Sequence, residues 1–381
     1  MDFLIKIKGI IKLIINTKFN WKIPKIKKIL VYDYEGSDEL LKYLPDKNTE
    51  ILHVRRENLN IMIFFVSIIK YKISWTFSKY LRTYIEKVKP EFIITFIDNN
   101  PEFYKIKNYF PNSKTIFIQN GVRGYENDIF GIFFKKNENI KDLFVDEMFV
   151  WNEQTGINYK KYLKGNFNAI GSIKNNRIKV NKDKKKYEIL FLSEYRKKTG
   201  FGKNYTWENY FSIEKKFIPY LYKFCQNKKI KLSICANTFN YEEEHSFYKD
   251  LINGKEWELL KRENEDSSYN YVDLSKAVIF ISTALGYEAI TRGAKVGAIT
   301  VRSEATNIRS HKFGWPYVFT ERNDKFWTNV FDENKFDEIL NFILYDNKEY
   351  SDLISGTYKK ILNYTPDNVI LKKKFKELNI L

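Results

Sequence analysis

The chain has 381 residues, 44% hydrophobic and 29% charged, a length that favours two domains and a composition that excludes a disordered, collagenous or disulfide-stapled chain. Its 65 Lys and Arg against 47 Asp and Glu leave a formal charge of +18, so an anionic partner is expected. The two cysteines, Cys225 and Cys235, and the three histidines, His53, His245 and His311, form no metal-ligand spacing, which argues against a structural zinc and for a reducing, cytoplasmic setting.

The first sixteen residues, MDFLIKIKGIIKLIIN, set Lys6, Lys8 and Lys12 inside an apolar stretch with no small-residue cleavage site after it. That is not the layout of a signal peptide. It reads either as a helix packed on the first domain or as a basic amphipathic helix on an anionic membrane surface, so residues 1–26 stand apart. The longest apolar run, Ile61 to Ile69, is too short to span a bilayer and fits a core helix.

A strand, KKILVYD (27–33), opens the first half and a helical pattern follows at 39–43. The alternation continues through TEILHV (49–54), a long helix over about 62–88, EFIITFID (91–98), a helix over about 101–109, KTIFIQ (114–119), DEMFVWN (146–152), the helical GINYKKYL and NFNAIGS (166–172). Near-continuous apolar strands alternating with helices predict a parallel sheet covered on both faces. KNNRIKVNKDKKK (174–186) then places seven Lys or Arg in thirteen residues and reads as a solvated linker. A second series follows: YEILFLS (187–193), a helix over about 207–226, KLSICAN (231–237), a helix over about 242–252, AVIFIST (277–283), the helix LGYEAITRG and KVGAITV (295–301). The predicted organisation is an N-terminal domain over 27–173, the linker 174–186, and a C-terminal domain over 187–345. A helical tail over 346–381 caps the second half or crosses back onto the first. Both domains are Rossmann-like, with parallel sheets facing an interdomain cleft.

Open parallel sheets bind ligands beyond the carboxyl ends of their strands. The turn after AVIFIST places Ser282 and Thr283 at a helix N-terminus suited to a phosphate, with Gly286 permitting close approach and Glu288 placed for a ribose diol. The plainer alternative is a capped helix with a first-turn acid. Neither GxxxxGK[ST] nor a completed GxGxxG is present, since Gly200-Phe-Gly202 stops short, so NTP hydrolysis and dinucleotide redox chemistry lack support.

STALGYEA followed by RGAKV, within two α/β halves, looks like the donor half of GT-B glycosyltransferases. TFIDNN, FIQNGVRG and FLSEYR resemble bacterial O-antigen and capsule biosynthesis proteins of that fold, over about Lys27 to Val330. The likeness to capsule Kdo transferases and teichoic-acid glycerophosphotransferases is more distant. QNGVRG carries Gln119 and Asn120 where those relatives carry an acidic pair or a histidine, so that residue's role does not carry over.

The resemblance implies that the second half holds a nucleotide sugar on Ser282, Thr283 and Glu288 and the first half an acceptor. Asp98, ending FIITFI, becomes a candidate base, or else caps the helix near Pro101. Glu194 is the alternative base and His311 a candidate general acid. Ser193, Arg196, Arg302 and Arg309 are candidates for the donor phosphate or a sugar carboxylate. Asp33, Glu35, Asn99, Gln119, Asn120 and Arg123 are candidates for the acceptor, Asp33-Tyr34-Glu35 standing too early in the fold for a metal-binding acidic pair. No metal or other cofactor is expected. The implied activity is transfer of a sugar from a nucleotide donor, with a lean toward a CMP-linked acidic sugar such as Kdo or a nonulosonate, onto a bacterial surface glycan at the inner face of the membrane. Two alternatives stand beside it: phosphoalkyl transfer on the same fold, for which His53 is the first-half histidine, and single-stranded nucleic-acid binding through basic charge and aromatics.

Overall fold

In the computed structural model, which describes residues 17–124, 128–137, 143–198, 206–317, 319 and 321–381, six strands of the first half pair as one sheet. Its strands are β1 (Ile29–Tyr32), β2 (Thr49–Leu52), β3 (Phe92–Thr95), β4 (Lys114–Ile118), β5 (Phe144–Val150) and β6 (Lys164–Ala169), in the order β2-β1-β3-β4-β5-β6. All pairs are parallel, with Ile29 of β1 between Thr49 and Phe92. Packing on both faces explains the unbroken apolar runs: Leu30 and Ile93 enter one core, Val31 and Ile94 the other.

The expected single helix over 62–88 is two, α1 (Ile61–Tyr71) and α2 (Phe77–Val88). The chain breaks where Lys72 takes a positive φ and Thr76 caps the new helix at Lys79. The run from Phe103 to Asn108 is a 3₁₀ helix. The linker departs from the solvated reading at its start, where α3 (Ile173–Arg177) buries Asn175 and Asn176. Arg177 also pairs with Glu39 of the first half at 2.7 Å and Asp266 of the second at 2.9 Å. Residues 182–186 are exposed.

The second sheet comprises β7 (Tyr187–Leu192), β8 (Leu232–Cys235), β9 (Trp257–Leu260), β10 (Ser275–Phe280) and β11 (Lys295–Ile299), with the short β12 (Asn323–Asp324) and β13 (Trp327–Thr328) at one edge. The order is β9-β8-β7-β10-β11-β13-β12, antiparallel only between the last two. The sequence reading did not contain β9. Helices α4 (Trp207–Asn227), α5 (Tyr241–Leu251), α6 (Ser267–Asp273), α7 (Ala284–Thr291), α8 (Arg302–Thr306) and α9 (Glu333–Tyr345) belong to this half. The tail crosses back: α10 (Val369–Glu377) puts Leu371 and Phe375 into the first-half core beside Ile29 and Phe149.

Strand order reverses between β1 and β3 in one sheet and between β7 and β10 in the other, so both ligand-binding crevices open at the carboxyl ends of these strands. Cys225 and Cys235 are buried and unbridged. Among the described residues no helix is long and apolar enough to cross a membrane. The membrane reading of residues 1–16 and the Gly200-Phe-Gly202 motif lie outside the described residues.

Candidate functional site

The two crevices meet in a cleft with two chambers. The inner one, about 440 Å³, lies between Gly36, Asp38, Glu39, Gln119, Asn120 and Trp151 of the first half and Ser193, Asn237, Tyr269, Thr283 and Glu288 of the second. The outer one, about 640 Å³, is lined by Asn99, Val122, Gly124 and Asp128 on one side and Glu194, Arg196, Tyr210, Ser282 and His311 on the other. Asn237, Thr283 and Ala284 line both, so the N-terminus of α7 forms the wall between them.

Thr283 caps α7, its Oγ1 accepting from the Leu285 N–H at 3.4 Å. Ser282 does not offer its N–H to the cleft: the Glu194 carboxylate accepts it at 3.2 Å and takes the Ser282 hydroxyl at 3.0 Å. Gly286 serves packing rather than approach of an anion, since a Cβ there would lie 2.1 Å from the Phe280 ring. Glu288 is buried at the floor of the inner chamber, where the Tyr269 hydroxyl donates to it at 2.9 Å. Burial raises its carboxyl above the ordinary range, opposed by hydrogen bonds from Ser172 and Tyr269.

Ser193 lines the inner chamber but donates its hydroxyl to Glu244, and the Tyr248 hydroxyl donates to Ser193 at 2.8 Å. Glu244 also accepts the N–H groups of Asn237 and Thr238, each at 2.9 Å. This buried carboxylate of α5, which fixes the β8 loop, had no signal in the sequence beyond its place among Glu242 and Glu243. Arg196 stands exposed at the outer rim, its guanidinium donating to the Tyr210 hydroxyl at 2.8 Å. His311 faces the outer chamber with Nδ1 2.9 Å from the Thr306 hydroxyl. Arg309 lies exposed on the same 3₁₀ turn.

Two expected site arginines are buried behind the walls. Arg302, placed in the sequence reading near a phosphate or sugar carboxylate, is fully enclosed between Glu194 at 2.8 Å and Glu214 at 2.5 Å, its guanidinium 3.7 Å from the Tyr210 ring centre. Arg123, expected at the acceptor, donates through Nε and Nη2 to the two oxygens of Asp98 at 2.7 and 2.6 Å. The Tyr159 hydroxyl donates to the same carboxylate at 2.6 Å and the Asn120 N–H at 3.2 Å. Asp98 is thus neither a base open to the cleft nor a helix cap. It anchors the QNGVRG loop, because a buried carboxylate needs this many donors. The loop then reaches the second half: the Trp315 indole donates to the Arg123 carbonyl, and a Cβ on Gly124 would meet Ser310 Oγ at 2.6 Å.

Of the remaining first-half candidates, Asn99 lines the outer chamber and Gln119 and Asn120 the inner. Gln119 is braced, accepting from the Trp151 N–H at 2.8 Å and donating to the Gly121 carbonyl at 2.8 Å. Asp33 turns away into an ion pair with Arg55 at 3.1 Å, and Glu35 lines neither chamber. Gly36 in the same loop, and Asp38 and Glu39 at the start of the short helix that follows it, take the position expected of them. Trp151, Ser172 and Tyr269 are among the lining residues that no sequence motif marked. The AIGS strand end held the signal for Ser172. Among the described residues no group of three His, Cys, Asp or Glu is placed to hold a metal.

A family model described as "putative O-antigen biosynthesis protein" matches residues 116–379. A search of curated proteins finds no match. Among solved structures the chain is similar to a "putative UDP-N-acetylglucosamine 2-epimerase" from Listeria monocytogenes, at 13% identity and a TM-score of 0.56, covering 94% of this chain and 98% of that one. It is also similar to the wall teichoic acid polymerase TagF (10%, TM-score 0.51, 93% and 90% covered) and to the S. aureus MnaA–UDP structure (13%, 0.51, 93% and 98%). At these identities the likeness concerns the fold, and it is the GT-B fold.

Proposed function

The chain belongs to this family of O-antigen biosynthesis proteins, and from that premise we propose that it is a glycosyltransferase that moves a sugar from a nucleotide donor onto a bacterial surface glycan. One observation carries the reading: the N-terminus of α7 stands between the two chambers. Donor phosphate belongs at that helix end, where the dipole favours an anion. The nucleoside then fills the inner chamber with its ribose on Glu288, and the sugar meets the acceptor in the outer one.

In that chamber, which Asp128 also lines, Glu194 and His311 are assigned to move a proton at the acceptor hydroxyl and the donor oxygen. Asn99 and Asn120 orient the reactants, a role the buried Arg123 supports from behind. The lean toward a CMP-linked acidic sugar loses half of its argument, since Arg302 is already paired, and UDP-linked sugars stand beside CMP-linked ones as donors to test. For phosphoalkyl transfer, His53 lies outside both chambers with Nδ1 3.1 Å from Glu57. Stacking on exposed aromatics has little support either, because most of the aromatic rings lie in the cores.

The test is transfer of labelled sugar from CMP- and UDP-sugars to a lipid-linked glycan extract. Glu194→Gln is expected to lower kcat about 100-fold or more at similar donor affinity. Epimerised nucleotide sugar with no transfer would replace the reading with the chemistry of the epimerases that share the fold.

A further inference from the structure

A surface helix ordinarily hides an apolar stripe and shows water a polar face. Helix α1, IMIFFVSIIKY, does not: only Ile63 and Ser67 are buried, while Phe65 is 54% and Ile69 73% exposed, and Ile73 just beyond the helix is fully exposed. The chain before β1 joins this surface. Lys18–Asn20 pairs in parallel with Asn58–Asn60, the residues that lead into α1. Asn60 both caps α1 at Ile63 and donates to the Lys22 carbonyl at 2.7 Å. Phe19, Trp21 and Ile23 are exposed along it.

The charge on this surface is mostly positive, with Glu86 of α2 paired to Lys70 at 2.6 Å. Residues 17–28 and 61–79 contain Lys18, Lys22, Lys25, Lys27, Lys28, Lys70, Lys72 and Lys79 and no Asp or Glu. Exposed apolar and indole side chains among lysines match an anionic phospholipid surface, where rings sit at the headgroup level and lysines reach phosphates. A second copy of the chain would set mostly lysine against lysine.

We propose that α1 and the Phe19–Ile23 segment form a docking face for an anionic lipid bilayer. This gives the membrane location in the reading above a surface, one distinct from the sixteen N-terminal residues. Helix α2 packs on α1 and lines, with Phe77, Leu81, Arg82 and Ile85, a 260 Å³ cavity that Asn100, Glu102 and Lys105 also line.

The test is co-sedimentation of the full chain with vesicles of phosphatidylglycerol and phosphatidylethanolamine, against phosphatidylcholine alone. Three full-length proteins are compared: wild type, the triple variant Phe65→Glu/Ile69→Glu/Ile73→Glu, and Ile10→Ser/Ile14→Ser in the N-terminal segment. The expected result is binding to anionic vesicles, at least tenfold weaker in the triple variant and retained in the N-terminal variant. Melting temperature and nucleotide response of the triple variant should be unchanged, so that a failure here is separate from a failure of the donor site. Equal binding by the triple variant, binding lost only in the N-terminal variant, or a dimer that the triple variant dissolves would each overturn the proposal. So would a lower melting temperature of the triple variant, which would mean that the chain itself covers the face.

Discussion

Each half of the molecule buries one arginine between two carboxylates just behind its wall of the cleft, and the two arrangements have different consequences. In the first half, Arg123 forks onto Asp98, whose carboxylate also receives Tyr159 and the Asn120 N–H, with Asp128 at 3.5 Å on the open side. In the second, Arg302 lies between Glu194 and Glu214, yet its Nε and Nη1 and one oxygen of Glu214 find no hydrogen-bond partner among the described residues. Burial pushes Glu214 up to about 7, opposed by Arg302. The first network is a satisfied anchor for a loop, whereas the second retains a group that titrates near neutrality behind a cleft carboxylate.

The largest test of this contrast removes each arginine in turn. Arg123→Met leaves Asp98 buried without its partner and should cost about 3–5 kcal/mol in urea unfolding at pH 7. Arg302→Met should cost less, because Glu214 can take up a proton in its place; equal costs would break the comparison. The second effect is in pH. Glu214 has a folded pKa raised above its ordinary 4.5, so its contribution to stability is complete below 4.5 and is lost as pH rises toward about 7. The fall should be on the order of 3 kcal/mol and absent in Glu214→Gln. A wild type whose stability is flat over that window would refute this account of the second network.

Gly286→Ala should cost about 1–3 kcal/mol by pressing on Phe280, with nucleotide affinity unchanged in the population that folds. A selective loss of affinity would return the glycine to the donor site. Smallest is Glu35→Ala, expected within about 0.5 kcal/mol of wild type and with unaltered transfer. A loss of transfer would restore the acidic pair Asp33 and Glu35 to the site.

The strands were legible because parallel strands buried on both faces must be apolar throughout, as ILVY, FIIT and AVIF are. Thr283 and Glu288 were legible for a related reason, since a strand, turn and helix within a dozen residues fix where their side chains lie. Asp98 was read as ending a strand and lies in the turn three residues beyond β3, and its role depends on Arg123, 25 residues away, and Tyr159, 61 away. Nothing local marks such partners. Loop charge misled in the same way at Arg302, whose partners come from the loop after β7 and from α4, and in the linker, whose first residues are buried by contacts with both halves.

The central claim, a nucleotide site on the α7 side of the cleft, is tested most directly by thermal shift with CMP, CDP, UDP, GDP and dTDP on wild type and Glu288→Ala. A ligand that binds the native state alone raises its melting temperature. The account predicts a rise with one nucleotide class that is lost in Glu288→Ala. No rise with any nucleotide, or one that survives the substitution, would contradict it.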